Sequence, residues 1–116
     1  MNIRIITNDI SIDEVKEIAK EFYKTMIKGV VDVEREIIVL GGEYHMDANV
    51  IILENGSKQE NVWGFNINLY ENNDSDQWIE YISLINIRPL QKNKSMEVQD
   101  ENIRRKMKHI ITKKIK

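Results

Sequence analysis

The stretch GVVDVEREIIVLGG, Gly29 to Gly42, constrains the fold of this chain more than any other. Val30, Val31, Val33, Ile37, Ile38, Val39 and Leu40 are β-branched or aliphatic, with little polar alternation between them. A half-buried strand alternates; a strand covered on both faces does not. The run therefore predicts two central strands that meet at a tight turn near Glu34-Arg35. Asp32 is the lone acid inside the first of them. A buried carboxyl is pushed toward its neutral form unless it is paired, so Asp32 is read as a partner for a backbone amide or an arginine. Gly41-Gly42 then breaks or bulges the strand.

The flanks supply the rest. IRIIT reads as a short opening strand. Ser11, with Glu14 three residues on, is a helix start, and Ile12, Val15, Ile18, Ala19, Phe22 and Met26 follow at helical spacing. Asn55-Gly56 supplies the positive φ angles of a two-residue hairpin turn. It is read as joining a strand around Ala48 to Leu53 with another in VWGFNINLY. WIEYISLINIRP is read as a last strand stopped by Pro89. A second helix starts near Asp100, with Ile103, Met107, Ile110 and Ile111 on its apolar stripe. The class expected is α+β: one domain over residues 1–116, with a mainly antiparallel sheet of about five to six strands and two helices packed on one face. The expected core includes Ile5, Val15, Ile18, Phe22, Val31, Val39, Met46, Ile52, Trp63, Phe65, Ile67, Ile85, Ile87, Met107 and Ile110.

Composition limits the function classes. A chain of 116 residues buries about two-thirds of its unfolded surface on folding, so no covalent staple is required. The absence of cysteine excludes disulfides, thiol nucleophiles and thiolate zinc sites. The formal net charge of -2 gives no general attraction to nucleic acid or anionic membrane. No signal peptide or membrane span is read, and a cytoplasmic setting is expected.

The stretch GGEYHMDANV carries Glu43, His45 and Asp47 at alternate positions. With the turn at Asn55-Gly56, Ala48 falls opposite Trp63, Met46 opposite Phe65 and Tyr44 opposite Ile67. His45 then lies opposite Asn66. The last strand, folded back, adds Asn86 and Arg88 to the same polar face. An antiparallel sheet with helices on one side shows a polar face simply because that face is wet. Two features argue for more. Asparagine is a poor strand former, yet Asn49, Asn66, Asn68 and Asn86 all fall in expected strands. Gly64, in mid-strand, leaves room for something to approach the backbone.

Taken together, VVDVERE, GGEYHMDANV, NGSKQENVWGFNI and INIRP resemble a family of short, uncharacterised prokaryotic proteins that form a domain of unknown function, with GGExHxD, WGxN and INIRP motifs. The resemblance runs from about Val30 to Asn93, and its motifs match at Asp32, Gly41, Gly42, His45, Asp47, Gly56, Trp63, Gly64, Asn66, Asn86, Arg88 and Pro89. It implies a single-domain protein in a prokaryotic-type cytosol and brings no activity with it. The family more typically carries an acidic residue at the place of Asn49.

Several chemistries compete for the polar face. Glu43, His45 and Asp47 offer oxygen and imidazole donors to a divalent metal. However, alternate side chains on one strand stand about 7 Å apart, so a second strand must help. His45 with Asp47 nearby suits proton transfer near neutral pH, but no nucleophile motif accompanies them. No catalytic residue is assigned, and enzyme activity stays open. The glycine turns lack the strand–loop–helix order of a phosphate loop. The basic end of the second helix, Arg104 to Lys116, is better explained by the helix dipole than by RNA binding. The leading expectation is binding of a small polar ligand or divalent metal through His45, Asp47, Asn66, Asn86 and Arg88, with Glu43 as a further metal ligand. The main alternative is a homodimeric interaction module on the same face. No cofactor is indicated.

Overall fold

The computed structural model describes residues 1–116. Its elements run β1 (Arg4–Ile6), α1 (Ile12–Ala19), β2 (Met26–Asp32), β3 (Ile37–Leu40), α2 (His45–Glu54), β4 (Val62–Asn68), β5 (Ile79–Glu80) and α3 (Glu101–Lys114). The five strands form one antiparallel sheet in the order β1-β3-β2-β4-β5. The α+β class and the antiparallel sheet are as expected. A third helix, α2, is not.

The aliphatic run folds as its pattern requires. β2 and β3 pair through Gly29↔Leu40 to Asp32↔Ile37, with β2 in the middle of the sheet. Asp32 closes the turn between them. Its Oδ1 accepts from the backbone N–H of Glu34 and of Arg35, both at 2.9 Å, which is the structural role the sequence suggested. Both faces are covered. α1 and α3 pack Val15, Ile18, Met107, Ile110 and Ile111 against Val31, Ile38, Leu40, Trp63, Phe65 and Ile67. α2 lays Ala48 and Ile52 on the other face, against Val30, Ile37, Val39 and Val62. Each fully buried aliphatic side chain contributes about 1.5–3 kcal/mol relative to exposure.

Residues 45–54 were expected to be strand and are helix. Tyr44 sits at the N-cap in extended conformation, and Asp47, three residues on, accepts from the Tyr44 backbone N–H. That half of a capping box is enough to start the helix; the Tyr44 side chain itself makes no capping bond. The expected hairpin at Asn55-Gly56 is instead the end of α2. Asn55 is the C-cap, Gly56 takes φ +107, and the N–H groups of Gly56 and Ser57 reach back to the carbonyls of Leu53 and Ile52. A positive-φ glycine just past a helix satisfies its last carbonyls in this way.

The last strand is also shorter than expected. β5 holds only Ile79 and Glu80, paired with Ile67 and Asn66. Beyond it the chain turns through short 3-10 segments at Leu84–Asn86 and Pro89–Gln91. α1 stops at Ala19, because a turn through Lys24 at φ 43 must redirect the chain into β2. Phe22 therefore lies exposed rather than in the core; Met46 on the outer side of α2, Ile5 on edge strand β1 and Ile87 in the turns beyond β5 are exposed as well. No helix is long and apolar enough to cross a membrane.

Candidate functional site

The sheet face under α2 carries the polar residues of β4, Gly64, Asn66 and Asn68, and all three are buried. What covers them decides which can act on a ligand.

Two of the expected site residues complete the outer edge of β4. There the backbone of Asn68 donates to Trp78 O, and Asn66 pairs with Glu80. β5 ends at that point. Asn86 takes over at Gly64: its Oδ1 accepts from the Gly64 N–H at 2.8 Å and its Nδ2 donates to the Gly64 carbonyl at 3.1 Å. Arg88 takes over at Val62, donating to the carbonyls of Val62, Gln59 and Ile85. Its guanidinium also lies 4.3 Å from the Trp63 ring centroid. Burial lowers the Arg88 pKa to about 10, so it stays charged near neutrality. Asn86 and Arg88 thus supply from side chains the hydrogen bonds that a longer edge strand would supply from its backbone. Asn93 locks this segment by donating to the Asn86 carbonyl and accepting from Gln99 N.

Asp47 and Glu43 are placed differently. Asp47 Oδ2 accepts from the backbone N–H of Glu43 and of Tyr44, both at 3.0 Å, so this carboxylate caps α2. Glu43 is exposed in the approach to the helix, and its carbonyl accepts from the Tyr23 hydroxyl at 2.7 Å. The expected metal set of Glu43, His45 and Asp47 rested on a shared strand face, which the helix removes. Nowhere do three or more His, Asp or Glu side chains gather as metal ligands.

His45 and Asn66 do meet. As the first residue of α2, His45 turns its ring down onto β4, where Nε2 lies 2.9 Å from Phe65 O. A carbonyl only accepts, so Nε2 carries the hydrogen and Nδ1 keeps its lone pair. Burial lowers the imidazole pKa to about 4 against the pull of the Phe65 carbonyl; Lys28 lowers it further, and the neighbouring Asn66 side chain opposes. The ring is therefore neutral at pH 7. Asn66 donates weakly from Nδ2 to Glu80 at 3.5 Å. Its Oδ1 is buried and accepts from no donor while the ring is neutral; a protonated His45 would donate to the Asn66 side chain, which is why Asn66 raises the imidazole pKa. A buried acceptor without a partner costs about 1–3 kcal/mol.

These two residues line a cleft of about 250 Å³ between the start of α2, β2, β4 and the 82–84 segment. Lys28 and Ser83 add polar groups, while Tyr44, Met46, Leu84 and Met96 form a partly exposed apolar rim. Lys28 and Ser83 were not singled out in the sequence. Lys28 had a signal, since it is the only charge in MIKGVV. Ser83 had none without the β4 edge in view.

Residues 4–114 match a family described as "Protein of unknown function (DUF5674)". No curated protein and no solved structure matches the chain.

Proposed function

We propose that this chain, which belongs to the DUF5674 family, binds a small polar ligand in the cleft between α2 and β4. The observation that carries this reading is the Asn66 Oδ1 acceptor, buried in the cleft wall with no donor to satisfy it. Native folds leave few such groups, and they concentrate where something else binds. The other groups around the cleft narrow the ligand. His45 offers an acceptor at Nδ1, and Lys28 offers a cation. The complement is a small molecule that brings N–H or O–H donors to Asn66 and His45 and an anionic group to Lys28. A histidine with a pKa of about 4 is a poor proton acceptor at neutral pH, which favours binding over acid–base catalysis.

The test compares wild type with Asn66→Leu by thermal unfolding and by amide NMR, against a panel of small amino acids, hydroxy acids and amides. If the cleft is a site kept at a cost in stability, Asn66→Leu unfolds at a higher temperature than wild type. Panel members then shift the Lys28, His45 and Ser83 signals of wild type only. A variant that is less stable, in a protein that responds to no panel member, removes the proposal.

A second reading has its own support. Tyr44, Met46, Val50, Leu84 and Met96 are all exposed, and α2 is apolar on its outer side as well as its inner one. Helices of that kind are normally covered. A homodimer or a protein partner would cover this rim. A molar mass that rises with concentration, and is held at the monomer value by Met46→Glu, would favour that reading.

A further inference from the structure

A separate groove opens on the other side of the sheet, between α3 and the segment from Asn73 to Tyr81. It encloses about 280 Å³, and its walls include Asn73, Ser75, Tyr81, Arg104, Arg105 and Lys108. Three cations thus face one cleft in a chain whose formal net charge is -2. None of the three is in an ion pair; the pairs of this protein join Arg4 to Glu14, Lys20 to Glu17 and Lys116 to Asp9. Arg104 is the most constrained. It is half-buried, and its guanidinium lies 4.7 Å from the Tyr81 ring centroid. None of its five N–H donors reaches an acceptor in the protein, whereas Arg105 donates to Asn102 at 3.2 Å. A planar donor set held against an aromatic ring is preorganised for a bidentate oxyanion.

We propose that this groove binds a small phosphate-bearing ligand, with Arg104 gripping the phosphate and Arg105 and Lys108 adding charge. The opposite wall limits the size of the anion. It comes from the loop Glu71 to Gln77, which carries Glu71, Asp74 and Asp76, and Asp76 lines the groove itself. A compact phosphate can sit on the α3 side. An extended polyanion such as RNA would have to run past those carboxylates. The polar loop groups Asn73 and Ser75 can meet the rest of the ligand.

The site is independent of the α2 cleft, and its test is independent too. Arginine side-chain and amide NMR signals are followed at constant ionic strength while inorganic phosphate, adenosine monophosphate, adenosine or a uridine dodecamer is added. Phosphate and the monophosphate are expected to shift Arg104, Arg105 and Tyr81 saturably, and adenosine is not. Arg104→Gln weakens the monophosphate about tenfold and Arg104→Lys restores only part of that. Lys106→Gln, which removes one charge outside the groove, leaves binding unchanged. Thermal unfolding confirms that each variant is folded. Four outcomes overturn the proposal. Neither phosphate nor the monophosphate shifts Arg104 saturably, adenosine produces the same shifts, Lys106→Gln weakens binding as much as Arg104→Gln, or the dodecamer binds more tightly than the monophosphate.

Discussion

Asn86 holds Gly64 by both backbone groups, accepting from its N–H at 2.8 Å and donating to its carbonyl at 3.1 Å. One amide side chain thereby replaces the missing continuation of β5 along the edge of β4. Asn86 is fully buried, so truncating it leaves the Gly64 groups without a protein partner. Asn86→Ala strands a donor and an acceptor, and each such group costs about 1–3 kcal/mol. The expected loss is about 2–4 kcal/mol in urea unfolding, with the denaturant slope unchanged. A loss below about 1 kcal/mol would mean that another group takes over at Gly64.

The same approach fixes the residue at position 64. A Cβ on Gly64 would lie 2.5 Å from Ser83 Cβ and 2.7 Å from Ser83 Oγ. Gly64→Ala is expected to cost about 1–3 kcal/mol through overpacking. Ser83→Gly removes the obstacle, so the double variant should recover part of that loss. Strict additivity of the two single effects would show that the close approach is not what selects glycine.

These contacts also mark where the sequence stops being legible. The β2–β3 hairpin could be read because its signal is local: an unbroken β-branched run around a four-residue turn. α2 could not, for two reasons. It is apolar on both sides, so its helical period is blurred, and Tyr44, Met46 and Ala48 imitate strand alternation. Asn55-Gly56 fits a hairpin turn and a helix end equally well, since both need the same positive φ. Asn86 stood out as an odd residue for a strand and Arg88 as part of the polar face, but their partners are separated from them by 22 and 26 positions. His45 and Asn66 were expected to face each other across a hairpin. They meet instead because the first turn of α2 lies over β4.

Asp47 was expected among ligand or metal contacts, and its geometry predicts a different phenotype. Its Oδ2 holds the backbone N–H groups of Glu43 and Tyr44 at the start of α2. Asp47→Ala is expected to lower stability by about 0.5–2 kcal/mol, as loss of a helix cap does. Asp47→Asn, which keeps an acceptor oxygen, should lose less. Chemical shifts should change first at Glu43 to Met46. Equal losses in the two variants would point to the charge rather than the cap.

His45 makes the stability of the fold depend on pH in a direction that can be stated. Burial lowers its pKa from 6.5 to about 4. Between those values the unfolded chain binds a proton that the folded chain does not. Stability is therefore full above pH 6.5 and falls as the pH drops toward about 4. The depressed pKa corresponds to roughly 3 kcal/mol across the whole interval. His45→Gln can still donate to Phe65 O but cannot titrate. Urea unfolding near neutral pH and near pH 4 should show a steeper decline for wild type than for His45→Gln. The ring protons of His45, identified by their loss in the variant, should titrate well below those of a free histidine. Parallel pH profiles for the two proteins would mean that the imidazole is protonated as easily in the fold as out of it. The buried contact with Phe65 would then not hold it neutral.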